Sequence, residues 1–113
     1  MKITNQSKNS VIAEKAVLAD SFLSRMVGLL KHRKLEQGEG LIITRCNSIH
    51  MFFMRFAIDV IFVDKKDVVV GIVKNILPNR LSKIYWKAVN AIEVPVGVIE
   101  VSKTEVGDQL ILQ

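Results

Sequence analysis

Apolar positions along the chain fall into short β-branched runs broken by polar turns, and only one stretch has helical spacing. Residues 41–43, 58–63 and 68–73 are brief and rich in Ile and Val, so they predict strands rather than helices. Asp64-Lys65-Lys66-Asp67 between the last two is a four-residue hairpin loop. A simple register, with Val63 facing Val68, sets Asp59 opposite Ile72, Phe62 opposite Val69 and Val60 opposite Gly71. Both faces of 68–73 are apolar, which predicts a central strand covered on both sides. Asp59 is then a carboxyl group in a largely buried strand, and it needs a partner.

The N-terminal part predicts a hairpin, with residues 1–5 as an edge strand, 6–10 as the turn and 11–18 as its mate. Asp20 or Ser21 is a suitable N-cap. After it, Phe22, Met26 and Leu29, and likewise Leu23, Val27 and Leu30, recur at helical spacing. The basic cluster Lys31-His32-Arg33-Lys34 suits the C-terminal end of that helix. Residues 36–40 form a turn, 75–82 a loop and 91–95 a strand stopped by Pro95, while 109–112 is a closing strand. Residues 97–103 have room for a helical turn, although Val98, Ile99 and Val101 oppose it. The expected fold is α+β and β-rich: a mostly antiparallel twisted sheet or partly closed barrel with one main helix at about residues 21–31.

The 113 residues fit a single domain, half hydrophobic and about a quarter charged. A net charge of +5, from 16 cations and 11 anions, is too mild to name nucleic acid as a partner. The single Cys fits a reducing compartment. The polar first ten residues lack an apolar signal core, and no window is long enough for a membrane span, so a cytoplasmic protein is expected.

Between the strands at 41–43 and 58–63 lies a linker holding the sole Cys, one of two His and three of five Phe. Cys46, His50 and Met54 have the i, i+4, i+8 spacing of soft copper(I) ligands, but only if the segment is helical, which Phe52, Phe53 and Phe56 oppose. In an extended chain Cys46 lies roughly 13 Å from His50. Core and pocket lining is the preferred reading, so no metal and no cofactor is expected. His50 with Asp59 makes an oriented base, for which Cys46 is the available nucleophile, without a recognisable nucleophile signature. Arg55 and Asp59 pair only across a bend at Ala57, which would set Arg55 at the lip of a groove lined by Phe52, Met54 and Phe56. Lys83, Tyr85, Trp86 and Lys87 form a short aromatic-plus-basic tetrad, read as a loop anchored by its aromatics.

The pattern from Ala19 to Leu112 resembles a family of bacterial and archaeal proteins, domain of unknown function 192. The resemblance rests on Arg25-x-x-Gly28-Leu29-Leu30, Gly40-Leu41-Ile42, Ala91-x-Glu93-Val94-x-x-Gly97 and Val106-Gly107-Asp108. Its centre is Cys46-x-Ser48-Ile49-His50-x-Phe52-x-Met54-Arg55-Phe56-x-Ile58-Asp59-Val60-x-Phe62-x-Asp64. It implies a compact β-rich α+β domain and no established activity. Ala57 stands where the family commonly has proline. Met51 replaces a threonine, taking a hydroxyl from the groove, and Asp67 replaces the hairpin glycine.

Function is therefore left to the site. The first reading is a small-molecule or peptide binding module with a groove built from residues 46–59, using Cys46, His50, Phe52, Met54, Arg55, Asp59 and Arg25. The second is a hydrolase-like enzyme using His50 with Asp59 or Cys46. The third is an interaction or nucleic-acid-associated protein using the basic patches at 31–34 and 80–87. Asp59 is expected to tie the 46–57 segment to the sheet through Arg55, Arg25, His50 or that segment's amides.

Overall fold

The β-branched run at the centre of the chain is the structural spine. β5 (Ile58–Val63) is buried at all six positions, because its alternate side chains enter two different cores. The computed structural model describes residues 1–19, 35–51 and 54–113. The predicted helix at 21–31, its cap, Arg25, the cluster at 31–34, and Phe52 and Phe53 lie outside those residues.

Around β5 stand β1 (Ile3–Asn5), β2 (Ser10–Ala13), β3 (Lys15–Ala19), β4 (Glu39–Thr44), β6 (Val69–Ile76), β7 (Asn90–Val94) and β8 (Leu110–Leu112). They form a three-stranded sheet, β2-β1-β8, and a five-stranded sheet, β3-β4-β7-β5-β6. Every pairing is antiparallel except β3 with β4. The expected β-rich, mostly antiparallel architecture is found, as two open sheets rather than a barrel. Residues 98–102 do form a short helix, α1 (Val98–Ser102), despite their β-branched composition.

The first core lies between the sheets: Ile61, Val63, Ile92 and Val94 meet Ile3, Ile12 and Leu110, and α1 adds Ile99. The second lies on the other face of the five-stranded sheet, where Ile58, Val60 and Phe62 pack on Ile43, Ala91, Ile49 and Met51. Odd-numbered β5 residues therefore face the first core and even-numbered ones the second, as strand pleating requires.

Several expectations are corrected. Residues 11–18 are not one strand: the chain breaks at exposed Glu14 and passes from the small sheet into the large one. β1 lies in the middle of its sheet rather than at an edge. β6 is an edge strand, not a central one. Its outer edge is nonetheless capped at one end, where Val69 N donates to Asp108 O and Gly107 N to Val69 O, both at 2.8 Å. The β5–β6 register also departs from the simple one: Val63 faces Val69, Phe62 faces Gly71, and Ile58 faces Ile76, with two bulges between. The hairpin loop closes as expected, with Asp67 at φ 62° and the Asp64 carboxylate accepting from Lys66 N and Val68 N.

Gly71 has a specific role. A side chain there would run into the ring of Tyr85, which stacks on Phe62 with centroids 4.4 Å apart. A buried polar latch joins the two chain ends: Asn5 Nδ2 donates to Thr104 Oγ1 and Asp108 Oδ2, and Lys8 Nζ reaches both Asp108 oxygens. Among the described residues no helix is long and apolar enough to cross a membrane.

Candidate functional site

β4 ends at Thr44, and Arg45 then takes φ 55°, a left-handed conformation that costs a residue with a side chain. That turn throws the chain out of the sheet and alongside residues 79–89. Cys46 N donates to Val89 O at 2.9 Å, and Tyr85 N donates to Asn47 O at 2.8 Å. Ser82 closes a reciprocal pair, its N donating to Ile49 O and its Oγ accepting from Ile49 N, each at 2.8 Å. Met51 N donates to Arg80 O and Asn79 N to Met51 O, also at 2.8 Å. Segment 46–51 is thus held almost as firmly as a strand. Ile49 and Met51 turn into the second core.

His50 alternates to the other side, where an open cleft of about 220 Å³ is lined by Ile43, Thr44, Arg45, Cys46, Asn47, Ser48 and His50. The turn at 45–48 brings Cys46 and His50 to one cleft, which the extended-chain estimate did not allow. The Cys46 thiol donates to Ser48 O at 3.1 Å. Arg45, exposed at the rim, supplies the cleft's permanent charge. Among the described residues no three His, Cys, Asp or Glu side chains converge as a metal site would require.

The other candidates scatter. Met54 and Phe56 are half-buried against the second core and do not line this cleft. Arg55 is exposed. Asp59 is 1 % exposed and sits on the opposite face of the sheet from the linker. Its Oδ1 accepts from Asn75 N at 2.8 Å, and its Oδ2 accepts from Gly97 N and Ile99 N, both at 3.1 Å. The expectation that Asp59 ties segment 46–57 to the sheet is therefore corrected: it ties β5 to the β6 bulge and to the start of α1. It is neither the partner of Arg55 nor the orienting carboxylate of His50, because β5 pleating points it the other way.

A family model, that of DUF192 (described as "Uncharacterized ACR"), matches residues 2–112 of the chain. The chain belongs to the domain of unknown function 192 family. Its relatives include a UPF0127 protein of Pyrococcus abyssi, 39% identical over 114 residues, covering 96% of this chain and 94% of that protein. Another, from Thermococcus sibiricus, is 38% identical over 112 residues, covering 96% of this chain and 72% of its own length. The fold is shared with a crystal structure of a protein of unknown function from Novosphingobium aromaticivorans. That likeness has a TM-score of 0.82 at 20% identity and covers 98% of this chain and 82% of the other. None of these descriptions names an activity.

Two residues tied to the family resemblance look different in three dimensions. Met51, in place of a threonine, removes no hydroxyl from the cleft, because its side chain is buried in the second core at 1 % exposure. Glu93, passed over as a site residue, is equally buried, in β7 between β4 and β5. It shares the second-core face with Ala91 and Val60, and hydrophobic neighbours on both sides of it in sequence hide a buried acid there. Thr44 and Arg45 lie outside the expected 46–59 groove, and Asn47 and Ser48 lie within it without having been singled out, since a left-handed arginine leaves no mark in composition.

Proposed function

We propose that the chain is a binding module for a small molecule or a peptide, with its site at the cleft running from Ile43 to His50. The observation that carries this reading is the strained turn at Arg45 held by a ladder of hydrogen bonds to residues 79–89. Backbone strain of this kind persists only where the surroundings over-determine it, and it gathers at sites that must be preorganised. The lining joins an apolar wall, from Ile43 and Cys46, to hydrogen-bonding groups from Thr44, Asn47, Ser48 and His50. That mixture is characteristic of ligand pockets, and a volume of about 220 Å³ falls below the roughly 300–1,000 Å³ of drug-sized sites. The ligand is accordingly small, and the Arg45 guanidinium offers a fork suited to a carboxylate, whether on a metabolite or at a peptide end.

The hydrolase-like reading has less support. The Cys46 thiol is directed at the Ser48 carbonyl oxygen, 3.1 Å away. Asp59 does not reach His50. The lone cysteine suits a reducing compartment, so the cytoplasm is the proposed place of action. Native mass spectrometry of protein purified without added ligand, with a thermal-shift screen of small carboxylates, tests the proposal. The expected result is a bound small molecule, or a stabilising carboxylate, whose effect is lost in Arg45→Gln and His50→Ala. Absence of both an adduct and any stabilising compound in the wild-type protein would overturn it.

A further inference from the structure

The loop after β6 combines two properties that soluble surfaces usually keep apart. Five large apolar residues stand in solvent: Trp86 is 81 % exposed, Leu81 66 %, Leu77 and Ile84 46 % each, and Val89 40 %. The same loop carries Arg80, Lys83 and Lys87, all exposed, and no Asp or Glu occurs from residue 68 to residue 92. Among the described residues none of these three cations has a carboxylate partner. Lys83, Ile84, Trp86 and Lys87 line one shallow cleft of about 230 Å³, floored by Val70 and Tyr85. In this cleft Ile84 and Trp86 are therefore neighbours of Lys83 and Lys87 in space as well as in sequence.

The aromatics divide the labour. Tyr85 is the anchor: it stacks on Phe62, fills the space left open at Gly71, and has Lys83 Nζ 5.1 Å from its ring centre. Its backbone N–H is fastened to Asn47 O. Trp86, next in sequence, is thrust outward from that rigid support. A fixed base under an exposed indole differs from a floppy loop, because little order is lost when the indole is engaged.

We propose that this loop docks the protein on a membrane surface bearing anionic phospholipids. Indole rings settle at the headgroup boundary, aliphatic side chains enter just below it, and lysine and arginine beside them meet the lipid phosphates. The aliphatic residues argue against single-stranded nucleic acid, which is gripped by bases stacking on rows of aromatics. Here one aromatic is exposed and four aliphatic residues would have nothing to stack on. This inference is independent of the ligand cleft.

The chain's only tryptophan is Trp86, so its fluorescence reports on this loop alone. The purified protein is titrated with vesicles of phosphatidylcholine, and with vesicles in which about one-third of the lipid is phosphatidylglycerol. The expected result is a blue shift and bromolipid quenching with the anionic vesicles, weakening as salt is raised. Lys83→Gln and Lys87→Gln should each weaken binding roughly fivefold. Ile84→Asp, a solvent-facing change, should abolish it while circular dichroism stays native. An unchanged emission spectrum at saturating anionic vesicles overturns the proposal. So does equal binding to neutral vesicles, or a response to single-stranded oligonucleotide without one to lipid.

Discussion

Replacing Asp59 tests the account of how the sheet is joined to the C-terminal part of the chain. In Asp59→Ala three backbone amides lose their acceptor at once. That of Ile99 is fully buried and has no route to water, so stranding it costs about 1–3 kcal/mol. Those of Asn75 and Gly97 are only partly buried, so water can replace the lost acceptor and each costs about 0.5–1.5 kcal/mol. The sum is roughly 2–6 kcal/mol, a large part of the about 5–15 kcal/mol that stabilises a domain. Asp59→Asn keeps one oxygen. If that oxygen serves Gly97 and Ile99, the new NH₂ faces the Asn75 N–H, donor against donor, and about one bond is lost. The variant should fall between wild type and Ala. Urea denaturation gives the magnitudes, and amide hydrogen exchange gives the location. Exchange should accelerate at residues 75, 97 and 99 and stay unchanged at Met51, Ser82 and Tyr85, which fasten the cleft. Loss of protection centred on residues 46–51 would refute the reasoning, as would an Asp59→Ala cost below about 1 kcal/mol.

Gly71→Ala should destabilise by about 1–3 kcal/mol, since the new methyl group meets the Tyr85 ring and the stack on Phe62 must shift; a near-UV circular dichroism spectrum identical to wild type would show that the ring never filled that space. Burial pushes the Asp108 carboxyl up, but hydrogen bonds from Asn5, Lys8 and Glu105 N, with the Lys8 charge, outweigh it and hold the group below its ordinary value. A lowered folded value stabilises the fold above about pH 4, and the benefit disappears as pH falls through the folded value. Asp108→Asn should therefore lower the urea midpoint at neutral pH and flatten its fall in acid, so that the two proteins converge at low pH; parallel curves would contradict this.

The parts of the fold that were legible in sequence are those whose residue types carry a local instruction. A β-branched run announced β5, Asp64 and Asp67 announced the hairpin loop, and Pro95 marked the end of β7. Pairing order carries no such mark. Residues 68–73 are apolar on both faces because β6 contributes to both cores, and a central strand would have the same composition. What differs is the cover on its outer edge, supplied by backbone at residues 107 and 108. Asp59 shows the same limit. Its burial and its need for partners were readable, but the partners are backbone amides, which every residue but proline possesses. In the cleft, Cys46 and His50 stood out by rarity, whereas Arg45 matters through a backbone angle. At the aromatic loop the two rings look alike in sequence, and only the vacant space at Gly71 decides that Tyr85 goes in and Trp86 goes out.

The pairing of β1 with β8 sets a clock. Ile3 lies opposite Leu112, so the central strand of the small sheet waits for residues 110–112 to be made before it has both neighbours. At about 5–20 residues per second, a ribosome needs roughly 5–20 s to deliver Leu112 after Ile3. During that interval the β1–β2 hairpin can form, but a two-stranded ribbon is marginal alone and leaves Ile3 and Ile12 without Leu110 above them. Closing so long a loop slows folding more than it weakens the finished structure. The nascent chain is therefore vulnerable to aggregation and proteolysis until residues 110–112 emerge, and the β1–β8 pairing is what ends that exposure.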